Sequence, residues 1–246
     1  MNISIIIPAK NEEKYIENGL IAIQKSIVFF QQYYPASKVE IIVANNFSTD
    51  NTKKIAQKYT DKIFDTAADS IAEVRNSGAS KSEYEILIFI DADSQMHIET
   101  LKTIYELINF TDVQAGCAWI LPDEKIGIIY NFIIKFMNYI FEKLNTGSGL
   151  FFCKKQDFLA VNGFDEKIYA AEDLDFAHRI KKYLKSKNYK FRNIREIPIK
   201  TSMRKLKYVN KFQAFVKLVK FIFCYKKMMF QKNEWHEFFY NTNNLR

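Results

Sequence analysis

Asp91-Ala92-Asp93 follows directly on the apolar run Ile86-Leu87-Ile88-Phe89-Ile90. Two carboxylates two residues apart, ending a buried strand, offer hard oxygen ligands to a divalent cation such as manganese or magnesium. Such a cation is usually held by one or two carboxylates plus substrate phosphates. In an open α/β sheet, ligands bind outside the carboxyl ends of the strands, which is where this pair falls. A lone Asp-x-Asp more often just closes a strand and opens a solvated turn. The elements around it, and the other polar motifs they carry, decide between the two readings.

Those elements alternate. Residues 3–7 read as a short buried strand, and Asn11 or a neighbour should cap a helix whose apolar positions are Ile16, Leu20, Ile23, Ile27 and Phe30. Residues 39–43 form a second strand, followed by a polar turn and a helix from about Asp50. A short strand at Ile63-Phe64, a helix over 72–79 and the strand 86–90 complete the first half. Strands alternating with helices of this length imply a parallel sheet with right-handed crossovers. The second half is less regular. It reads as a strand at 113–120, a long aromatic-rich helix at 126–144, Gly147-Ser148-Gly149 leading into a strand at 150–153, and a helix over 157–161. A turn at Asn162-Gly163-Phe164 and a helix over 171–184 follow. The expected fold is α/β, a mostly parallel nucleotide-binding sheet flanked by helices. Residues 1–202 form its catalytic domain, and 203–246 a basic helical tail.

The chain has 246 residues, 48% of them hydrophobic, with 7 glycines and 4 prolines, enough to bury a core and unlike a disordered segment. Cys117, Cys153 and Cys224 are odd in number and far apart, without zinc spacing or a disulfide framework. They point to a reducing compartment, and the N-terminus lacks a basic region and cleavage site, so a cytoplasmic location is expected. The net charge of +8 is concentrated late, with Glu196 almost the only acid between residues 179 and 232. A basic tail suits nucleic acid, an anionic membrane or a phosphorylated substrate, and equally a solvated surface.

Five motifs in order resemble family 2 glycosyltransferases with the GT-A fold, over nearly the whole chain to about Arg204. Ile5-Ile6-Ile7-Pro8-Ala9-Lys10-Asn11-Glu12-Glu13 resembles the family's opening strand and loop. Ile41 to Asp50, with Asn45-Asn46-Phe47-Ser48-Thr49, resembles its second strand and turn. Arg75-Asn76-Ser77-Gly78-Ala79 resembles its Arg-Asn-x-Gly-Ala helix, and Asp91-Ala92-Asp93 its metal motif. Asn162-Gly163-Phe164-Asp165-Glu166 followed by Glu172-Asp173-Leu174-Asp175 resembles its acceptor-side pattern. Each piece is weak alone; five in order and spacing are specific.

The resemblance implies transfer of a sugar from a nucleotide-sugar donor to an acceptor hydroxyl, with inversion at the anomeric carbon. Residues 1–93 would form the donor-binding half and 94–202 the acceptor half. It implies that Pro8, Ala9, Asn11, Glu12, Asn45, Arg75, Asp91 and Ala92 contact the donor nucleotide. Asp93, with Asp91, would hold a divalent metal, Mn2+ or Mg2+, against the pyrophosphate. Asp173 would be the general base, with Glu172 and Gly149 on the acceptor side; as a carboxylate at a helix start, Asp173 is also placed to serve simply as a cap. Ser202 and Arg204 resemble a late Ser-x-Arg segment, which would put Arg204 (or Lys205) near the pyrophosphate. Two positions depart from the family. Asn45 stands where an aspartate accepts a hydrogen bond from the base; an amide also donates, which unsettles the usual uridine preference. Phe47 replaces a common glycine, so positive φ is not freely available there.

Residues 212–230 are apolar but interrupted by Lys217, Lys220, Lys226 and Lys227, short of the roughly 20 apolar residues of a spanning helix. Their pattern suits an interfacial helix on anionic lipid, or a helix packed on the catalytic domain or a second subunit. Peripheral association with the cytoplasmic face of a membrane, and a saccharide or lipid-linked acceptor, follow as expectations; nucleic acid is not an expected partner. Rival readings are a sugar nucleotidyltransferase, disfavoured because the loop after the first strand has no glycine, and a non-catalytic nucleotide-sugar or lipid-binding module.

Overall fold

Strand β1 (Ile3–Ala9) is buried at all seven positions, as a continuous apolar run should be when a parallel strand is covered on both faces. It pairs in parallel with β2 (Val39–Asn45) and β4 (Ile86–Ile90), and β2 pairs in parallel with β3 (Ile63–Asp65). The structure, a computed structural model, describes residues 1–204 apart from 126, 145 and 148. Between these strands run α1 (Ile16–Tyr33), α2 (Thr52–Ala56) and α3 (Ile71–Ser80). Beyond β4 come β5 (Ser94–Gln95), α4 (Thr100–Phe110), β6 (Val113–Pro122), α5 (Ile128–Lys143), β7 (Leu150–Lys154), α6 (Lys155–Ala160), α7 (Glu172–Ser186) and β8 (Lys190–Thr201).

All eight strands join one sheet in the order β3-β2-β1-β4-β7-β6-β8-β5. The expected parallel arrangement holds from β3 to β4. Past β4 the sheet is mixed: β7 runs antiparallel to both β4 and β6, β6 and β8 are parallel, and β5 is antiparallel to β8. Alternate residues of a strand face opposite sides. Ile3, Ile5 and Ile7 accordingly join the core under α1 and α4, while Ile6 joins the one under α3, α6 and α7.

Three readings need correction. Neither Asn11 nor a side chain beside it caps α1, whose N-cap, Tyr15, makes no side-chain cap bond. Asn11 instead adopts a left-handed φ of 53° and accepts from the Thr49 N–H at 2.8 Å, tying the first loop to the turn after β2. Phe47, despite lacking glycine's freedom, also takes a left-handed φ, of 41°. Core packing is the default expectation for a long aromatic-rich helix, yet among the described side chains of α5 Ile134 and Asn138 are buried while Ile128, Phe132, Phe136 and Tyr139 are exposed. Two strands, β5 and β8, are not expected from the sequence. No helix among the described residues is long and apolar enough to cross a membrane. The proposed interfacial helix over 212–230 and Lys205 lie outside the described residues.

Candidate active site

The carboxyl ends of β1, β2 and β4 present their polar residues along one edge of the sheet. Pro8 and Ala9 close β1, Asn45 closes β2, and Asp91-Ala92-Asp93 follows β4. The loop after β1 and the turn after β2 are stitched together. The Glu12 N–H donates to Thr52 Oγ1 at 2.6 Å, and the Glu13 N–H to Asp50 at 3.1 Å. Asp50 also accepts from the Thr52 N–H at 3.0 Å, so one carboxylate anchors both segments.

Arg75, on α3 and 4% exposed, reaches two carboxylates from distant parts of the chain. Its guanidinium donates to Asp91 at 2.7 Å and to Glu172 at 2.6 Å, and it lies 5.3 Å from the centre of the Phe164 ring. Burial works against its charge, but the fields of Asp91, Glu172 and Asp173 outweigh it and hold the pKa above the ordinary arginine value. Removing one partner from such a buried network leaves an uncompensated charge. Arg75 therefore welds the end of β4 to the first residue of α7. Asp173, next along, accepts from the Leu174 N–H at 2.8 Å. Asp173 also lies close enough to Cys117 that its negative charge adds to burial in raising that thiol's pKa.

The next residue of α3 builds the neighbouring turn. Asn76 donates to the Phe164 carbonyl at 2.9 Å and accepts from the Phe164 N–H at 3.0 Å, the way a strand partner would. Arg179 holds the same turn from α7, donating to the Val161 and Gly163 carbonyls at 2.5 and 2.8 Å. Gly163 is needed here: its φ is 61°, and a Cβ would sit 2.7 Å from Asn76 Oδ1. Gly149, at φ 81°, precedes β7, and its carbonyl accepts from the Asp91 N–H at 3.3 Å.

Arg204, just past β8, makes the second ion-pair cluster. Its guanidinium binds Glu12 through both terminal nitrogens, at 2.7 and 2.5 Å, stands 3.2 Å from Asp93 Oδ2, and lies 4.3 Å from the Tyr15 ring centre. Burial opposes this charge too, and Glu12 and Asp93 together keep its pKa raised. β8 delivers it: Ser94 and Thr201 pair across β5 and β8, and the Ser202 N–H donates to the Asp93 carbonyl at 3.2 Å.

The structure thus gathers Arg75, Asp91, Glu172 and Asp173 in one group, and Glu12, Asp93 and Arg204 in another. Asn45 turns instead to Asp65, and Asn11 to Thr49. Asn76, Tyr15 and Asp65 were not singled out from the sequence. Asp65 had a signal, since it ends β3 on the edge where ligands bind. The carboxylates suit a hard divalent cation, and a guanidinium already stands at Asp93 as a cation would. Among the described residues no group of three or more His, Cys, Asp or Glu side chains is arranged to hold a metal ion by itself.

The mixed sheet flanked by helices, with polar residues along its carboxyl edge, defines an α/β protein. Residues 4–156 match the model of glycosyl transferase family 2, and the chain belongs to that family. It is 32% identical over 108 residues to the poly(ribitol-phosphate) beta-N-acetylglucosaminyltransferase TarS of Staphylococcus aureus, covering 42% of this chain and 18% of TarS. It is 35% identical over 118 residues to the glycosyltransferase AglE of Haloferax volcanii, covering 45% and 36%. The chain therefore spans well under two thirds of these relatives. Among solved structures, residues 1–349 of TarS superpose with a TM-score of 0.61 at 19% identity, covering 99% of this chain and 74% of that one. The mannosyltransferase PcManGT of Pyrobaculum calidifontis, in complex with GDP-Man and Mn2+, gives 0.64 at 16% identity, covering 89% and 64%. At these identities the likeness concerns the fold.

Proposed function

We propose that the chain is an inverting, metal-assisted glycosyltransferase that moves a sugar from a nucleotide-sugar donor to an acceptor hydroxyl, with Asp173 as general base. The observation that carries the reading is Arg75, which ties Asp91, on the donor edge, to Glu172, adjacent to Asp173. Donor and acceptor motifs far apart in sequence meet through one buried side chain. The Asp173 carboxylate takes the proton of the acceptor hydroxyl as its oxygen bonds to the anomeric carbon. The bond from that carbon to the diphosphate oxygen breaks, and the nucleoside diphosphate leaves with its electron pair. A divalent cation, when bound, supplies Lewis-acid stabilisation of the leaving diphosphate. Asp93, with Asp91, would hold it; Pro8, Ala9, Asn11, Glu12, Asn45 and Ala92 line the donor side, and Gly149 the acceptor side.

Arg204 carries positive charge at the point where the leaving group gains negative charge, the arrangement that most lowers such a barrier. Its bonds to Glu12 and Asp93 keep that charge in place before substrate arrives. TarS, by its name, transfers N-acetylglucosamine to a poly(ribitol phosphate), which supports a cell-envelope saccharide acceptor; a lipid-linked acceptor is the alternative we keep. The structure of TarS in complex with UDP-GlcNAc and that of PcManGT with GDP-Man and Mn2+ support a nucleotide-sugar donor and a divalent metal. We assign catalysis to residues 1–202 together with Arg204, which reaches back to Glu12 and Asp93, and we propose contact with an anionic membrane surface for the rest of the basic tail over 203–246.

Purified protein melted against UDP-, GDP-, CMP- and dTDP-sugars, with and without manganese, tests the donor site. A ligand that binds only the folded state raises Tm. A manganese-dependent rise with one nucleotide class, lost in Asp93→Ala, is expected. A cooperative melt unmoved by every nucleotide would sink the reading.

A further inference from the structure

Helix α5 is pinned to the fold along one face and bare along the other. On the inner side Ile134 is buried, and the Asn138 amide donates to the Ile120 carbonyl at 2.7 Å and accepts from the Ile120 N–H at 3.2 Å. At the far end Lys181, on α7, donates to the Leu144 carbonyl at 2.7 Å, and Asn193, on β8, to the Thr146 carbonyl at 2.6 Å. On the outer side Ile128, Phe132, Phe136 and Tyr139 follow at spacings of four, four and three, which lines them up along the helix. Ile128 is 89% exposed and Phe132 69%, and the Phe132 and Phe136 rings stack with their centres 6.5 Å apart. Single apolar residues on a surface are ordinary, whereas a contiguous stripe about three turns long marks an interaction site. Lys135 and Lys143 are exposed on the same side, with Glu142 at the rim, and Lys143 Nζ lies 5.4 Å from the Tyr139 ring centre.

The chain's positive charge begins at the same place. Residues 205–246 carry nine lysines and arginines against two glutamates, so seven of the eight net positive charges belong to them. The residues just before them lie beside the start of α5. The Asp123 N–H donates to the Thr201 carbonyl at 3.1 Å, and the Met203 N–H to the Asp123 carboxylate at 3.3 Å, five residues before Ile128. We infer that the outer face of α5 is a membrane-docking surface, which seats its aromatic stripe in the interface of an anionic lipid bilayer. Phenylalanine and tyrosine rings bury there against acyl chains, while Lys135 and Lys143 reach the headgroups along the rim. A single apolar or basic element holds a bilayer only weakly, and the two together hold it firmly. A second copy seated on the stripe would bring two strongly basic segments to one interface, whereas anionic lipid neutralises them. The inference rests on the contact proposed above for the basic tail and adds the element that enters the lipid.

The test is co-sedimentation of the full chain with two kinds of vesicle, one of phosphatidylcholine alone and one of phosphatidylcholine and phosphatidylglycerol in equal parts. Wild-type protein is expected to partition onto the anionic vesicles and to leave the neutral ones largely bare. Phe132→Ser combined with Phe136→Ser should weaken that partitioning by at least about tenfold, since binding scales with the apolar area inserted. Its melt should stay close to wild type, because both rings are already exposed. In Phe132→Trp the added indole should shift its emission to the blue on anionic vesicles, read as the difference from wild type, which carries Trp119 and Trp235. Undiminished binding by the double serine variant, or an indole at position 132 unmoved by vesicles that bind the protein, overturns the inference and leaves the contact to the tail alone. Absence of wild-type binding to anionic vesicles removes the tail contact and the inference together. A lipid-free dimer, seen by light scattering and dissolved in the double serine variant, would give the stripe to self-association and overturn the inference as well.

Discussion

The two halves of the sheet are held by different physics. From β3 to β4 the strands are parallel, and β1, β2 and β4 are largely apolar and buried, so their side chains need little beyond burial to find their places. From β7 to β5 the pairing is mixed, and the site is drawn together by charges between distant residues. Arg75 and Glu172 are 97 residues apart, and Glu12 and Arg204 are 192 apart. Each of these contacts joins a residue of the first half to one of the second. Apolar patterning builds a platform; buried ion pairs decide what is set against it. Changes to the first half should act on nucleotide binding and local stability, and changes to the joining residues on the coupling between the halves.

The largest effect is expected where the proposed chemistry itself lies. Asp173→Asn keeps the size and hydrogen-bonding shape at the start of α7 but removes the base. Turnover should fall by roughly 10²–10⁴-fold, the range of general base catalysis. Nucleotide binding, proposed for the other half, should change little. Nucleoside diphosphate release measured beside nucleotide affinity checks both. Turnover surviving in the variant would move the base to another residue and break the division between halves.

Arg75→Ala should act on stability and turnover together. It strands buried Glu172 and partly exposed Asp91 without their counter-charge, and breaking a buried network costs on the order of 3–5 kcal/mol. For a chain of this size that is a fall in Tm of roughly 6–20 °C. Arg75→Lys should recover little, because one ammonium does not replace a planar fork reaching two carboxylates. Thermal melts of both variants read this directly, and a lysine variant as stable as wild type would show that charge alone matters here.

Arg204→Ala should be milder, because Glu12 and Asp93 keep some contact with solvent, at 14% and 16% of their side-chain surface. The proposed diphosphate contact predicts a loss of about tenfold in nucleoside diphosphate affinity, the size of one charge-assisted hydrogen bond. Nucleoside affinity should barely move. If diphosphate and nucleoside respond equally, Arg204 only braces the loop after β1.

The same contrast explains what the sequence disclosed. β1, β2 and β4 were legible because parallel strands buried on both faces read as unbroken apolar runs. β8 was not, because only Phe191, Ile194, Ile197 and Ile199 turn inward while lysine and arginine fill the outward positions, so it passed for a basic surface stretch. In the helix after β6, aromatic content suggested core, but content does not say which face is covered. Asp91 and Asp93 stood out because position at a strand end is local information. That Arg75 meets Glu172, or Arg204 meets Glu12, is written in no local pattern; a charge in a sequence does not name its partner. Asn45 was visible as a departure, yet its orientation depends on Asp65, one strand further out.

Two left-handed turns, one on each half, give the smallest effects and the finest test of the comparison. Gly163, in the second half, combines a φ of 61° with crowding: a Cβ would lie 2.7 Å from Asn76 Oδ1 and 2.9 Å from the Phe158 ring. Asn76 cannot swing away without surrendering its two bonds to Phe164. Gly163→Ala should therefore cost about 2 kcal/mol, backbone strain and displacement together. Phe47, on the donor side, holds φ 41° with 59% of its surface exposed. Strain of about 1–2 kcal/mol is stored there with little burial to offset it. Phe47→Gly relieves that strain and loses about 0.5–1 kcal/mol to the freer unfolded chain. A gain of about 0.5 kcal/mol, or about 1–2 °C in Tm, remains. The two variants should shift Tm in opposite directions. A drop in Phe47→Gly would mean that the Phe47 ring, rather than the backbone alone, helps hold the turn after β2, and that the donor half depends on side-chain contacts there as the acceptor half does.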